Sequence, residues 1–118
     1  MTDEPFNVIA GIDTHADTHH VAIITEYGRP VADKEFLAVG SGYRKIVDFI
    51  TGFGPVLGVG VEGTGSYGAE LARVLTREGL KVLEVNRPNR QIRRLKGKSD
   101  PLDAYQAAEA VIAERGIS

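Results

Sequence analysis

The sequence predicts an α/β domain with one mixed five-stranded sheet, strand order 3-2-1-4-5, and helices on both faces. Three observations carry that expectation. Apolar, β-branched stretches follow one another three times before any helical period begins. The two later strands each follow an amphipathic segment of helix length, the pattern of right-handed crossovers between parallel neighbours. Glycines fall where those segments must stop or turn.

Taken in order, NVIAGID (Asn7–Asp13) reads as a buried strand closed by an acid. A second strand spans His20–Thr25, and Tyr27-Gly28-Arg29 turns into a third near Pro30–Ala38. From Gly42 to Phe53 the spacing of Tyr43, Ile46, Val47 and Ile50 predicts a helix, stopped by Gly52 and Gly54. Pro55–Glu62 is a strand thinned by glycines, which implies close backbone packing. Tyr67–Glu78 returns to helical period, and Gly79 stands where a C′ glycine belongs. Lys81–Val85 is the fifth strand. A short basic helix follows Asn86-Arg87-Pro88, and a last helix runs from near Asp100 to about Glu114, with Leu102, Tyr105, Ala108 and Ile112 expected inward. A three-stranded meander followed by two crossovers is the layout of the ribonuclease-H-like fold. A Rossmann domain would alternate strand and helix from its first strand.

With 118 residues, the chain reads as one domain able to bury roughly two thirds of its unfolded surface. The absence of cysteine excludes disulfides and thiolate metal sites and fits a reducing, cytoplasmic setting. The acidic start MTDEPFN does not resemble a signal peptide, and no apolar run approaches the roughly 20 residues that span a bilayer. The net charge of −2 hides an asymmetry. Residues 87–98 hold Arg87, Arg90, Arg93, Arg94, Lys96 and Lys98 and no acid, leaving eight basic residues against sixteen acids elsewhere. A basic strip on an acidic body points to a polyanion contact at one place, although a solvated helix face would read the same way.

VGVEGTGSYGAEL (Val59–Leu71) poses the main functional question. Gly63, Gly65 and Gly68 spell G-x-G-x-x-G, and Glu84 lies where a ribose-binding acid would stand in a dinucleotide fold. However, that fingerprint normally opens its domain, and here it follows a meander and a crossover. Glu62 would also set a carboxylate beside the diphosphate. A plain glycine turn without a ligand is the simpler alternative.

The remaining acids favour Glu62 itself as the functional residue. Asp13 ends the first strand and Glu62 the fourth, which are parallel neighbours in the expected order. Asp100 and Asp103, in KSDPLDA, share one face of a helix's first turn. If that helix crosses the carboxyl ends of the two strands, four carboxylates converge. Their repulsion calls for hard divalent cations, Mg²⁺ or Mn²⁺, and paired ions about 4 Å apart are common machinery for phosphodiester cleavage. Simpler roles remain open. Asp13 could close a turn, and Asp100 could cap its helix with Pro101 at N1 and Asp103 favouring the dipole. His15, His19 and His20 with Asp17 suggest a metal cluster, but strand alternation does not aim them one way.

GIDTHADTHHVAI, VEGTGSYG and KSDPLDA, in that order and spacing, resemble the amino-terminal domain of DEDD transposases of the insertion-sequence "one-ten" family. Their catalytic domain is similar to the RuvC Holliday-junction resolvase. The resemblance covers essentially the whole chain and matches Asp13, Glu62, Asp100 and Asp103 to the four acids that name the class. It implies a bacterial, nucleoid-associated DNA recombinase that excises and inserts its own element. It further implies two Mg²⁺ or Mn²⁺ ions, a structured guide RNA, a homo-oligomer, and a carboxyl-terminal domain carrying a nucleophilic serine. That second domain is expected to lie outside these 118 residues, and neither Ser66 nor Ser99 is a substitute for its serine. His15 stands where many of those enzymes carry Lys, which bears on an accessory phosphate contact and not on the acids.

The sequence therefore predicts a metal-dependent transposase catalytic domain. Asp13 would be shared by both ions, Glu62 and Asp103 would complete the pair, and Asp100 would be a ligand or an anchor. Two alternatives stand beside it. One is a non-catalytic module that binds nucleic acid and dimerises. The other is an actin-like phosphotransferase, although Thr14-His15-Ala16 replaces the glycine loop which that group carries after its first strand.

Overall fold

The computed structural model describes residues 6–85 and 100–115, with the side chains of Asp100 and Arg115 outside that description. The described residues form a five-stranded sheet in the order β3-β2-β1-β4-β5. Strand β1 (Val8–Thr14) is central and buried at every position, because both of its faces are covered. Strand β2 (Thr18–Thr25) pairs antiparallel with it, and β3 (Pro30–Leu37) pairs antiparallel with β2 at the sheet edge. Asp33, Lys34 and Glu35 make that edge charged, which discourages pairing with another strand.

Helix α1 (Gly40–Thr51) leads to β4 (Val56–Glu62), parallel to β1. Helix α2 (Ala69–Arg77) leads to β5 (Val82–Val85), parallel to β4. Gly79, at φ +88°, supplies the left-handed residue that ends α2. Helix α3 (Asp100–Arg115) closes the described chain. The basic segment 87–98, with Arg87, Arg90, Arg93, Arg94, Lys96 and Lys98, lies outside the described residues.

The two faces of the sheet carry different cores. Ala10, Ile12, Val21, Ile23, Val59 and Val61 face α1 and α2, meeting Ile46, Ile50, Leu71 and Leu75. On the other face Ile9 and Ile24 meet Ala108 and Val111 of α3. Between these helix-facing residues the sheet is thin. A row runs across β2, β1 and β4 as Ala22, Gly11 and Gly60, in mutual register. A Cβ on Gly11 would lie 2.1 Å from the Ala104 carbonyl oxygen, and one on Gly60 would lie 2.5 Å from that of Ala107. The strand glycines thus mark the close backbone approach that their pattern suggested.

Four expectations shift, the first being helix α1, which spans Gly40–Thr51 rather than Gly42–Phe53. Strand β2 begins at Thr18 rather than His20. Helix α2 begins at Ala69, because residues 63–68 form hydrogen-bonded turns. The inward face of α3 is also rotated. Leu102 is 48% exposed and Tyr105 and Ile112 are only partly covered, whereas Ala104, Ala107, Ala108 and Val111 are buried. Large apolar residues normally claim the buried stripe. Against a trough of glycine and alanine only small side chains fit.

Candidate active site

Two residues beyond the small row, toward the carboxyl ends of β1 and β4, lies a row of polar side chains. Glu35, His20, Asp13 and Glu62 stand in mutual register across β3, β2, β1 and β4. Alternation along the strands puts this row on the α3 face, the same face as Gly11 and Gly60. Asp13 is 1% and Glu62 5% exposed. Adjacent strands are about 4.8 Å apart, so the two carboxylates leave the sheet side by side.

Helix α3 runs antiparallel to β1. Its later residues Ala108 and Val111 pack on Ile9, while Ala104 and Ala108 meet Gly11. From Gly11 to Asp13 the strand rises about 7 Å. From Ala104 back to Asp100 the helix rises about 6 Å. The first turn of α3, carrying Asp100 and Asp103, therefore stands at the level of the Asp13–Glu62 row. Asp103 is buried, at 9% exposure. Among the described residues no three His, Asp or Glu side chains are gathered closely enough to hold an ion.

The ends of β1 and β4 are tied directly. Thr14 points to the opposite face from Asp13 and donates its hydroxyl to the Glu62 carbonyl at 2.6 Å. This side-chain bond sits one residue past the last strand pair, Asp13–Glu62. Gly63 then turns at φ +84°, and a Cβ there would lie 2.7 Å from the Thr14 hydroxyl. The Ser66 and Gly68 N–H groups both donate to the Gly63 carbonyl. The glycines after Glu62 thus serve a tight strand-to-helix turn. A sheet with an antiparallel meander, Glu62 in its acid row, is not a dinucleotide-binding frame.

The three histidines diverge. His15 approaches Asp13, Nε2 to Oδ2 at 2.9 Å, and is a quarter exposed. His20 Nε2 lies 2.5 Å from Asp33 Oδ2, and a carboxylate can only accept, so that nitrogen carries the proton. His19 faces the other way, against α1, with its ring stacked on Tyr43 at 5.9 Å between centroids. It is wholly buried, and neither ring nitrogen makes a hydrogen bond among the described residues. Burial lowers its pKa below 6.5, and His15 adds to the effect. The Thr18 backbone and Asp13 oppose it, the former without a bond of ordinary geometry.

Sequence reasoning missed Thr14, Asp33 and Tyr105. Thr14 acts on a carbonyl 48 residues away, a distance at which no local pattern gives warning. Asp33 reads as an ordinary charge on an edge strand, and only the pairing of β3 with β2 brings it to His20.

Against this geometry, the sequence profile of the DEDD, IS110-type transposase family matches residues 10–117. The chain belongs to that transposase family. This places the domain among recombinases that act on DNA and leaves the phosphotransferase alternative without support. Among solved structures, the family member is similar to the fowlpox virus Holliday junction resolvase. The TM-score is 0.58 at 12% identity, covering 93% of this chain and 99% of that one. That likeness shows the ribonuclease-H-like fold. Two weaker similarities are to the ethanolamine utilization protein EutJ from Carboxydothermus hydrogenoformans and to the Thermoplasma acidophilum Pelota protein. Their TM-scores are 0.44 and 0.45 at 16% and 17% identity, covering 82% and 92% of this chain but 42% and 39% of those. No curated protein matches the chain by sequence. Among the described residues no helix is long and apolar enough to cross a membrane.

Proposed function

We propose that Asp13, Glu62, Asp100 and Asp103 form one carboxylate cluster that binds two divalent cations, Mg²⁺ or Mn²⁺, for phosphodiester cleavage or strand transfer on DNA. The observation that carries this reading is the register pair Asp13–Glu62, placed one step beyond the glycine row that draws α3 onto the sheet. The donor chemistry fits, since carboxylate oxygens are the ligands hard cations prefer. Ions held by these residues would supply Lewis-acid chemistry to a phosphodiester.

The chain's own residues supply position. Asp13, on the central strand, would be the ligand shared by the ions, and His15, 2.9 Å from its Oδ2, would hold the carboxylate in place. Thr14 fixes the backbone from which Glu62 projects. Asp103 completes the cluster from α3, with Asp100 as a further ligand or anchor. Arg87, Arg90, Arg93, Arg94, Lys96 and Lys98 grip the phosphate backbone of DNA or of a structured guide RNA, largely without reading sequence. The same reading includes a homo-oligomer, and a carboxyl-terminal domain that contributes a nucleophilic serine. Isothermal titration tests the cluster. Mn²⁺ binding is expected in the wild-type chain and lost in Asp13→Asn; undiminished binding in the variant removes Asp13 as shared ligand.

A second reading is a nucleic-acid-binding module without its own chemistry, which the basic residues between Arg87 and Lys98 would serve equally well. It predicts oligonucleotide binding with the usual salt dependence and no Mn²⁺ binding.

A further inference from the structure

Helix α3 presents a difficulty for any site that relies on it. Toward its amino-terminal half, where Asp100 and Asp103 stand, its inner face is Ala104, Ala107 and Ala108 over Gly11, Gly60 and Ala22. The larger Val111 packs one turn further on against Ile9 and Ile24. Helices and sheets lock their relative position by interdigitating side chains, ridges against grooves. A small-residue helix on a small-residue trough brings backbones close but offers few ridges to stop sliding along the axis. Yet Asp100 and Asp103 can meet Asp13 and Glu62 only if α3 holds one axial position.

A polar constellation on this face bridges helix and sheet. Asp33 lies in register with Ala22 and so continues the small row to the sheet edge. Its Oδ1 accepts a hydrogen bond from the Tyr105 hydroxyl of α3 at 3.2 Å, across 72 residues of sequence. Its Oδ2 accepts from His20 Nε2 at 2.5 Å. His20 is 8% exposed and stands in register with Asp13; its Nδ1 is buried without a hydrogen bond among the described residues, so Asp33 alone orients the ring. Burial and then Asp33 itself raise the Tyr105 pKa above its ordinary value, which keeps the phenol a donor.

We propose that Asp33 is a positioning residue for the carboxylate cluster: by holding Tyr105 and His20 together it fixes the axial position of α3, and with it the height of the Asp100–Asp103 turn above Asp13 and Glu62. The proposal rests on the cation reading of that cluster. It assigns Asp33 no contact with substrate. Tyr105 is the arm that reaches the helix, and His20 is the brace that keeps the Asp33 carboxylate turned toward it.

Mn²⁺ titration and amide hydrogen exchange on the whole chain test this together, using Asp33→Asn, Tyr105→Phe and the double variant. Asn keeps only one acceptor oxygen, and Phe removes only the helix arm. Each single variant should weaken Mn²⁺ binding by roughly 10-fold, the scale of losing an outer-shell partner. The double variant should be no weaker than Asp33→Asn, since both changes cut one connection. Without metal, exchange in the first turns of α3 should quicken in Tyr105→Phe while α1 is unchanged. Unaltered affinity together with unaltered exchange overturns the proposal, as do fully additive losses. Should wild-type protein bind no Mn²⁺, the cation reading itself falls. Exchange, which needs no metal, then decides alone whether Asp33 anchors α3.

Discussion

The sheet has one face built from volume and one built from proximity. Toward α1 and α2 it presents Ile, Val and Leu, whose burial contributes the larger share of the hydrophobic driving force. Toward α3 it presents Gly11, Gly58, Gly60 and Ala22, which bury little area each, with Ile9 and Ile24 as the larger apolar contacts. The buried polar groups divide unequally as well. Asp13, His20, Glu62 and Asp103 belong to the α3 side, whereas Thr14 and His19 lie on the other. The larger apolar area on one face thus offsets the buried charge on the other, where closeness of backbones brings acids from distant chain positions to one level.

That contrast can be broken most severely at Gly11. A Val there places Cβ 2.1 Å and 2.2 Å from backbone atoms of Ala104 and Ala108, which cannot move aside singly. Gly11→Val should lower unfolding free energy by about 3 kcal/mol or more, the upper end for overpacking, or lift α3 off the sheet. Urea denaturation reads the first outcome and loss of Mn²⁺ binding the second; a variant normal in both would disprove the close approach. Ile46→Ala, on the volume face, should cost roughly 2–5 kcal/mol through its cavity. At temperatures where it remains folded its Mn²⁺ affinity should match wild type. A weakened affinity would mean that the two faces are not independent.

Sequence and structure agree best where periodicity is strong. The meander, both crossovers and the pairing of Asp13 with Glu62 were legible because β-branched runs, glycine stops and strand-end acids each have a local physical cause. The inward face of α3 was not legible, because hydrophobicity ranks Leu102 above Ala104 while the glycine trough admits only the alanine. Asp33 and Thr14 were illegible for a different reason. Their partners lie on other strands and helices, and a register has to be known before either side chain has a role. The basic strip from Arg87 to Lys98 stays an expectation from charge alone.

A smaller effect is expected at Gly63, where the two faces meet. Its φ of +84° suits glycine, and the Thr14 hydroxyl occupies the space a Cβ would need. Gly63→Ala should cost about 1–2 kcal/mol from the left-handed backbone, and the crowding of Thr14 should loosen its bond to the Glu62 carbonyl. If the turn matters to the acid row, Mn²⁺ affinity falls in this variant although Gly63 bears no ligand. A stability loss with unchanged affinity would confine the turn to a folding role.

The smallest effect, and the one that tests the volume face for a hidden polar cost, concerns His19. Its folded-state pKa is lowered chiefly by burial, so below the ordinary 6.5 the unfolded chain takes up a proton that the folded chain refuses. By linkage, stability rises with pH in the window from the lowered folded value up to 6.5, and is lost as pH falls through that window. The slope contributed by one such group cannot exceed about 1.4 kcal/mol per pH unit. His19→Phe keeps a ring against Tyr43 and removes the titration. The difference between wild-type and variant stabilities should therefore be flat above neutral pH and should grow in the variant's favour on acidification, other titrating groups cancelling between the two proteins. Parallel curves down to pH 5 would show that the ring gains a partner or water once protonated, and that this face tolerates charge as the opposite one does.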